Sequence, residues 1–336
     1  MFDFIPNEYF LLAFGLILLI KGGDWFVDAA SNIAKKFHLP ELLIGATVVS
    51  IGTTLPEVMT SAASAMTGHG EIAYGNAIGS IICNTALISA ITVAIKPGKA
   101  DKKALIFPVC FFFAIAAFYS TIAYTTHEFS RWVGIVLLCA FVVYMVINVL
   151  NMKKSPAESV SLEEIETEKA EEGDSKIIVD VLVLIGAALV IALGAHLLVN
   201  SATAIAEGLG IPESVIALTV VALGTSLPEL VTAITALMKG HGALSLGNII
   251  GANIFNLVLV SGVSVAINPF SVPMTSSLFG QNASLVLDIP VMFGVMALLT
   301  IPTAIRGKLS RWQGISLLLI YFAYLALQFV FVEPVA

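Results

Sequence analysis

Charge is scarce in this chain: Asp, Glu, Lys and Arg make up 12% of its 336 residues, against 58% hydrophobic residues and a mean hydropathy of +0.98. A soluble domain carries roughly a quarter charged residues. Twelve of the charges crowd into residues 151–176, so the remainder is too apolar to stay dissolved in water. Nucleic-acid binding, a secreted disulfide scaffold and cytosolic catalysis are excluded on that ground. Cysteine is almost absent. Cys83, Cys110 and Cys139 lie inside apolar runs with no CxxC spacing and read as small buried hydrophobes. There is no HExxH, no nucleophile elbow and no Ser/His pairing, so an intramembrane hydrolase with carboxylate acid/base chemistry has no support beyond its acidic residues. No Lys or Arg precedes Lys21, which leaves the first apolar run without the basic flank of a cleavable signal and makes it a membrane helix.

What is present is a series of apolar runs near 8–31, 41–66, 72–95, 104–125, 132–150, 177–206, 213–237, 244–267, 284–304 and 312–332. Each is long enough to cross a bilayer, which takes roughly 20 residues. The expected fold is all-α: a polytopic membrane protein of about ten transmembrane helices. Between the fifth and sixth runs, SPAESVSLEEIETEKAEEGD reads as a solvated acidic linker within 151–176, dividing the chain into 1–150 and 177–336. With the N-terminus outside, 14 of the 16 Lys and Arg residues fall in inner loops, leaving Arg131 outside and Lys21 within a helix. The positive-inside rule therefore predicts a cell membrane protein with both termini outside and a cytoplasmic linker.

The chain also repeats itself. Residues 40–97 align without a gap to 212–269 at an offset of 172, with 28 identities in 58 positions. GTTLPE at 52–57 returns as GTSLPE at 224–229, GHG at 68–70 as GHG at 240–242, and GNAIGSIICN at 75–84 as GNIIGANIFN at 247–256. An odd number of helices per copy makes the second copy enter the membrane from the opposite side. Inverted repeats of this kind belong to secondary transporters, whose sites lie at the midplane between interrupted helices.

The best-preserved segments are polar residues at membrane depth. Glu57 and Glu229 sit well inside apolar runs, where a carboxylate costs several kcal/mol unless paired or coordinated. Pro56 and Pro228 free the carbonyls of Gly52 and Gly224. Those carbonyls, the hydroxyls of Thr53, Thr54, Thr225 and Ser226, and two carboxylates form an all-oxygen donor set suited to calcium or sodium. Asn84 and Asn256, at matched positions, can complete the shell as neutral ligands. Ser80 offers a hydroxyl that its mate Ala252 lacks, while Asn76 and Asn248 point elsewhere and read as helix bridges.

Two G-T-[ST]-L-P-E copies with two G-N-x-I-G-[SA]-x-I-x-N copies resemble the alpha repeats of the cation/calcium exchanger superfamily, nearest its prokaryotic sodium/calcium branch. The resemblance spans nearly the whole chain and implies an antiporter exchanging calcium for sodium by alternating access. It puts Glu57, Glu229, Asn84 and Asn256 at the centre, adds the carbonyls of Thr53 and Thr225, and places sodium ligands at Ser50, Thr54, Ser80, Ala222, Ser226 and Ala252. It also implies that the first and sixth helices slide against the other eight. Several exchangers have Asp at the position of Asn256 and a hydroxyl residue at that of Ala252, so one charge and one ligand are missing here. The expected partners are the two ions and the lipid bilayer, with no nucleic acid and no cofactor, and the chain is expected to work as a monomer. Proton/calcium exchange through the same glutamates is the alternative.

The other ionisable residues read more plainly. Lys21 is within helical reach of Asp24 and Asp28 and is expected to pair with one of them. His196, the mate of Asp24, reads as a gate or packing residue. Glu41 and Glu213 follow Pro40 and Pro212 at helix starts, where a carboxylate meets the helix dipole. His69 and His241 fall in short turns as solvated residues, and Asp288 has no assigned role.

Overall fold

The computed structural model describes residues 5–37, 39–154, 173–209, 222–274, 276–330 and 332–334. Among them nine helices are long and apolar enough to cross a membrane. They are α1 (Ile5–Lys36), α2 (Glu41–Met66), α3 (Gly70–Ile95), α4 (Lys102–Thr126), α5 (Arg131–Lys154), α6 (Gly173–Gly208), α8 (Gly242–Ile267), α9 (Ser284–Arg306) and α10 (Arg311–Val330). The expected run at 213–237 is represented by a short turn, Ala222–Thr225, and by α7 (Leu227–Met238). Its first residues, Glu213 among them, and most of the acidic linker lie outside the described residues. The chain is a multi-pass helical membrane protein.

Local chemistry sets the helix ends. The Asp101 carboxylate accepts the Lys103 backbone N–H at 2.8 Å and caps α4. The GHG motifs turn the chain between α2 and α3 and between α7 and α8. Gly68 and Gly240 there adopt φ of +84° and +89°, a left-handed conformation that favours glycine. Four helices also contain a widened π turn: Gly45–Val49 in α2, Asn84–Ser89 in α3, Asn256–Val260 in α8 and Ser284–Asp288 in α9. Such turns insert one residue into the helix and often mark functional segments. Nothing in the hydrophobic periodicity announces them.

α1 and α6 cross antiparallel at very short range. A Cβ added at Gly15 would stand 2.9 Å from the Gly194 carbonyl oxygen, and one at Gly194 would stand 2.9 Å from that of Gly15. Asn32 of α1 also donates to Asp180 of α6 at 3.4 Å. The remaining helices interlock across the two halves. α5 lies on α8 where a Gly134 Cβ would meet Ala266 and Gly262, and α10 lies on α3 where a Gly314 Cβ would meet Ala90 and Ala94. These contacts are repeat mates, and the glycines end two copies of Arg-Trp-x-Gly, at 131–134 and 311–314. Their offset is 180 rather than 172, because the stretch from α8 to α10 is eight residues longer than that from α3 to α5: the loop before α9 has ten more residues and α9 has two fewer than α4. That loop carries strand β2 (Phe270–Ser271), which pairs antiparallel with β1 (Glu128–Phe129) and stitches the halves together.

Polarity is turned inside out relative to a soluble protein. Leu182, Leu319 and Phe322 face outward, while the interior holds Ser, Thr, Asn and Glu side chains among its apolar ones. Cys83 is buried as expected, but Cys110 and Cys139 are exposed on the outer faces of α4 and α5. An apolar run in a membrane helix has no inside-facing preference, because lipid receives a thiol as readily as a core does.

The α1–α6 crossing gives a stability test. Gly194→Ala should lower the melting temperature in detergent, corresponding to about 1–3 kcal/mol of overpacking. Gly186→Ala, where a Cβ would meet no neighbouring atom within 4 Å, should hold or raise it. Equal melting curves would show that the crossing is looser than its geometry.

Candidate functional site

The two GT[ST]LPE segments arrive at the centre of the bundle by different routes. In α2 the helix continues through Pro56, preceded by the π turn at Gly45–Val49. In the second copy it breaks at Ser226, whose φ of −91° and ψ of 7° leave the helical region, and α7 begins anew with Pro228 in its first turn. Both arrangements bury the glutamate completely: Glu57 and Glu229 are each 0% exposed. The two carboxylates lie close enough to act on each other electrostatically. Thr54 spans the copies, its hydroxyl reaching Glu229 Oε1 at 3.5 Å.

Asn84 and Asn256 each open a π turn, in α3 and α8. The Asn84 turn packs against α7, which bears Glu229, and the Asn256 turn packs against the helix that bears Glu57. Both asparagines are fully buried. Among the described residues neither atom of either amide has a hydrogen-bond partner, and the same holds for both Glu57 carboxylate oxygens, Glu229 Oε2 and Ser226 Oγ. A neutral buried group left unpaired costs about 1–3 kcal/mol, and a carboxylate costs more. Six of these atoms are oxygens, and gathered on four neighbouring helices they constitute a donor set directed at something other than protein.

The surrounding polar residues hold this set in place. Asn76 donates to the Glu57 carbonyl at 3.3 Å and to Ser61 Oγ at 2.8 Å. Its mate Asn248 donates to Thr232 Oγ1 at 3.0 Å, and the Thr232 hydroxyl lies 3.1 Å from the Glu229 carbonyl. The helix-bridging role read from the sequence is what these hydrogen bonds perform. Ser50 and Thr53 turn their hydroxyls toward Asn248: Ser50 Oγ meets its carbonyl at 3.0 Å and Thr53 Oγ1 its Oδ1 at 3.2 Å. Ser80 and Ala252 are buried one turn before Asn84 and Asn256, and Thr225 is half-buried. Ala222 opens the short turn before Ser226.

Other expectations need correction. Asp24 and Asp28 do pair, but the cation is Lys239, at 3.4 Å and 2.8 Å, rather than Lys21. His241 is not simply solvated: Nδ1 lies 2.7 Å from Glu41 Oε1, half-buried. These partners are some 200 residues apart in the chain, beyond the reach of helical spacing. His196 is exposed and hydrogen-bonded to Asn200 at 3.0 Å within its own helix, so it is not a packing residue. Asp288 gains an assignment, its Oδ1 accepting from Tyr324 at 3.0 Å and Gln328 at 2.7 Å, which ties α9 to α10. Asn253 also bridges helices, its amide donating to Thr85 Oγ1 at 2.7 Å, a role with no repeat signal because its mate is Ile81.

The chemistry of the set is narrow. Among the described residues no cluster of three His, Cys, Asp or Glu gathers, so the donors are two carboxylates with neutral oxygens. Hard cations fit such donors, and two negative charges balance one divalent ion.

Residues 7–150 and 179–330 match the sodium/calcium exchanger protein family. The chain is 31% identical to the sodium/calcium exchanger MaX1 of Methanosarcina acetivorans, over 97% of this chain and 99% of that one. It is 36% identical to the uncharacterized membrane protein MJ0091 of Methanocaldococcus jannaschii, over 95% and 96% respectively. Its fold matches the sodium-calcium exchanger NCX_Mj, solved with 2.5 mM Na+ and 0.1 mM Ca2+, with a TM-score of 0.80 and 32% identity over 96% of this chain and 98% of that one. The chain belongs to the sodium/calcium exchanger family.

The two kinds of buried asparagine should respond oppositely to substitution. Asn248→Leu removes an amide that bridges three helices and should destabilise the protein by about 1–3 kcal/mol. Asn84→Leu removes an amide with no protein partner and should leave stability in ion-free detergent unchanged or improved. Thermal melts of the two variants check this, and equal losses would mean that Asn84 is structural.

Proposed function

We propose that this protein is an antiporter that exchanges calcium for sodium, carrying the ions through the Glu57/Glu229 site by alternating access. The observation that supports it is the pair of fully buried carboxylates from the two inverted copies: three of their four oxygens, and the amides of Asn84 and Asn256, have no hydrogen-bond partner among the described residues. Glu57, Glu229 and the side-chain oxygens of Asn84 and Asn256 surround the calcium ion. The carbonyls of Thr53 and Thr225 complete that shell. Sodium ligands come from Ser50, Thr54, Ser80 and Ser226 and from the segments at Ala222 and Ala252. One ion replaces the other because the bare site, with two unbalanced charges at low dielectric, is too costly to carry across. The α1–α6 pair, locked at Gly15 and Gly194, slides as one body against the other helices.

In this reading residues 1–150 and 177–336 are the inverted halves, 151–176 is a cytoplasmic linker and both termini lie outside. The basic loops support that orientation. Residues 96–103 and 306–311 meet at one end of the bundle, where Ala100 N–H donates to the Gly307 carbonyl at 3.0 Å and Leu309 N–H to that of Gly98 at 2.8 Å. Seven Lys and Arg side chains thereby share one side, as the cytoplasmic face of a membrane protein requires. One chain contains the whole site and works as a monomer.

Two measurements test the proposal. In proteoliposomes an outward-directed sodium gradient at fixed pH should drive calcium uptake, and Glu57→Gln or Glu229→Gln should abolish uptake and calcium binding while eluting as folded protein. Uptake driven by a proton gradient alone would replace sodium with protons as the counter-ion. For orientation, Ser161→Cys in intact cells should resist an impermeant thiol reagent and react only after permeabilisation, with Cys110 and Cys139 changed to Ser to remove background. Labelling from outside would overturn the assigned sidedness.

A further inference from the structure

Three charged residues outside the ion site join the two parts of the molecule that must move against each other. Lys239, at the end of α7, places Nζ 2.8 Å from Asp28 Oδ1 and 3.4 Å from Asp24 Oδ1, and donates to the Asp24 backbone carbonyl at 3.0 Å. Both aspartates lie on α1. The helices meet closely at this point, since a Cβ at Gly23 would come 2.6 Å from Val231 Cγ1 and 3.1 Å from Thr235 Oγ1 of α7. Two residues beyond Lys239, His241 is tied to Glu41 at the start of α2. The turn carrying Lys239 is therefore fastened to the helices that hold the site, and Lys239 extends from that anchored turn to α1.

The repeat shows that this connection is not a general feature of the fold. At the offset of 172, Lys239 corresponds to Thr67, Asp24 to His196 and Asp28 to Asn200. On the opposite side of the molecule these mates turn to their own elements: Thr67 Oγ1 lies 3.0 Å from His69 Nδ1, and His196 Nε2 lies 3.0 Å from the Asn200 amide. An inverted pair of copies with identical contacts would open to either side with equal ease. Here one side has a three-residue ionic link between α1 and α7, and the matched side has none of those charges.

We propose that Lys239, Asp24 and Asp28 form a latch that holds α1 against α7 at the cytoplasmic end and sets the balance between outward-open and inward-open states. These are positioning residues: they touch no transported ion and act by adding energy to one of the two arrangements. The inference rests on the antiport reading above and on its orientation. Sliding of the α1–α6 pair separates Lys239 from the aspartates, so the latch must break on the way to the inward-open state and re-form on return. The three side chains are partly exposed, at 28%, 38% and 60%, so water and salt weaken the link and its contribution stays reversible. A stronger, fully buried pair would trap the carrier.

A shift between two states has a signature that simple damage lacks. Populating the inward-open state lowers the calcium concentration needed for half-maximal transport from the cytoplasmic side and raises it from the outside. Calcium flux should be measured in inside-out and right-side-out vesicles for Lys239→Met, Asp28→Asn and the charge swap Lys239→Asp with Asp28→Lys. The two single variants should move the half-saturating concentrations in opposite directions on the two faces, by about three- to fivefold, the range of a partly exposed ion pair. The effect should shrink at high ionic strength, and the swap should restore the original values. Exchange that persists with both faces unchanged, or shifted in the same direction, would overturn the latch. Absence of sodium-driven calcium exchange in the unaltered protein would instead overturn the function on which it rests.

Discussion

The structure turns on two carboxylates that membrane burial makes intolerable alone. Glu57 and Glu229 are fully enclosed, and among the described residues neither has a Lys or Arg as a hydrogen-bond or ion-pair partner. At 4 Å two unit charges interact by about 1 kcal/mol in water and about 4 kcal/mol at the effective dielectric of a protein. The surrounding architecture maintains this tension. Asn76 and Asn248 pin the glutamate-bearing turns, and Asn84 and Asn256 each open a π turn at full burial. A core optimised for stability would have none of these features, and their concentration in one place sets it apart from ordinary packing.

Much of this was legible in the sequence because it is local or repeated. The spans follow from apolar run length, the membrane class from scarcity of charge, and the central residues from two motif copies at a fixed offset. The legible part ends where neighbours are distant in the chain or where the repeat slips. Lys239 and Asp28 are 211 positions apart and share no periodicity, so Lys21 looked the better partner for the aspartates. His241 read as solvated because Glu41 belongs to the other half. The Arg-Trp-x-Gly copies are out of register with the other motifs because the stretch from α8 to α10 is eight residues longer than that from α3 to α5. The π turns have no sequence signature at all, since a single inserted residue leaves the apolar pattern almost intact.

The copies have also diverged in ways that matter physically. α2 runs unbroken past Pro56 while its mate is interrupted at Ser226, and the repeat mate of Ser80 is an alanine, Ala252. A two-fold arrangement of helices thus encloses a site without two-fold chemistry. Symmetry provides two related shapes of the same bundle, and the differences allow the ends and the ligands to be adjusted separately.

The interlocking of the halves bears on whether either could stand alone. α5 of the first half lies against α8 of the second, and α10 of the second against α3 of the first, each through a glycine with no room for a side chain. A lone half would leave its outer helices without the surface they are shaped to meet, and it would supply only one of the two carboxylates. Neither half is therefore a complete body by itself, and the same glycines that let the halves meet so closely make each one depend on the other for its packing surface.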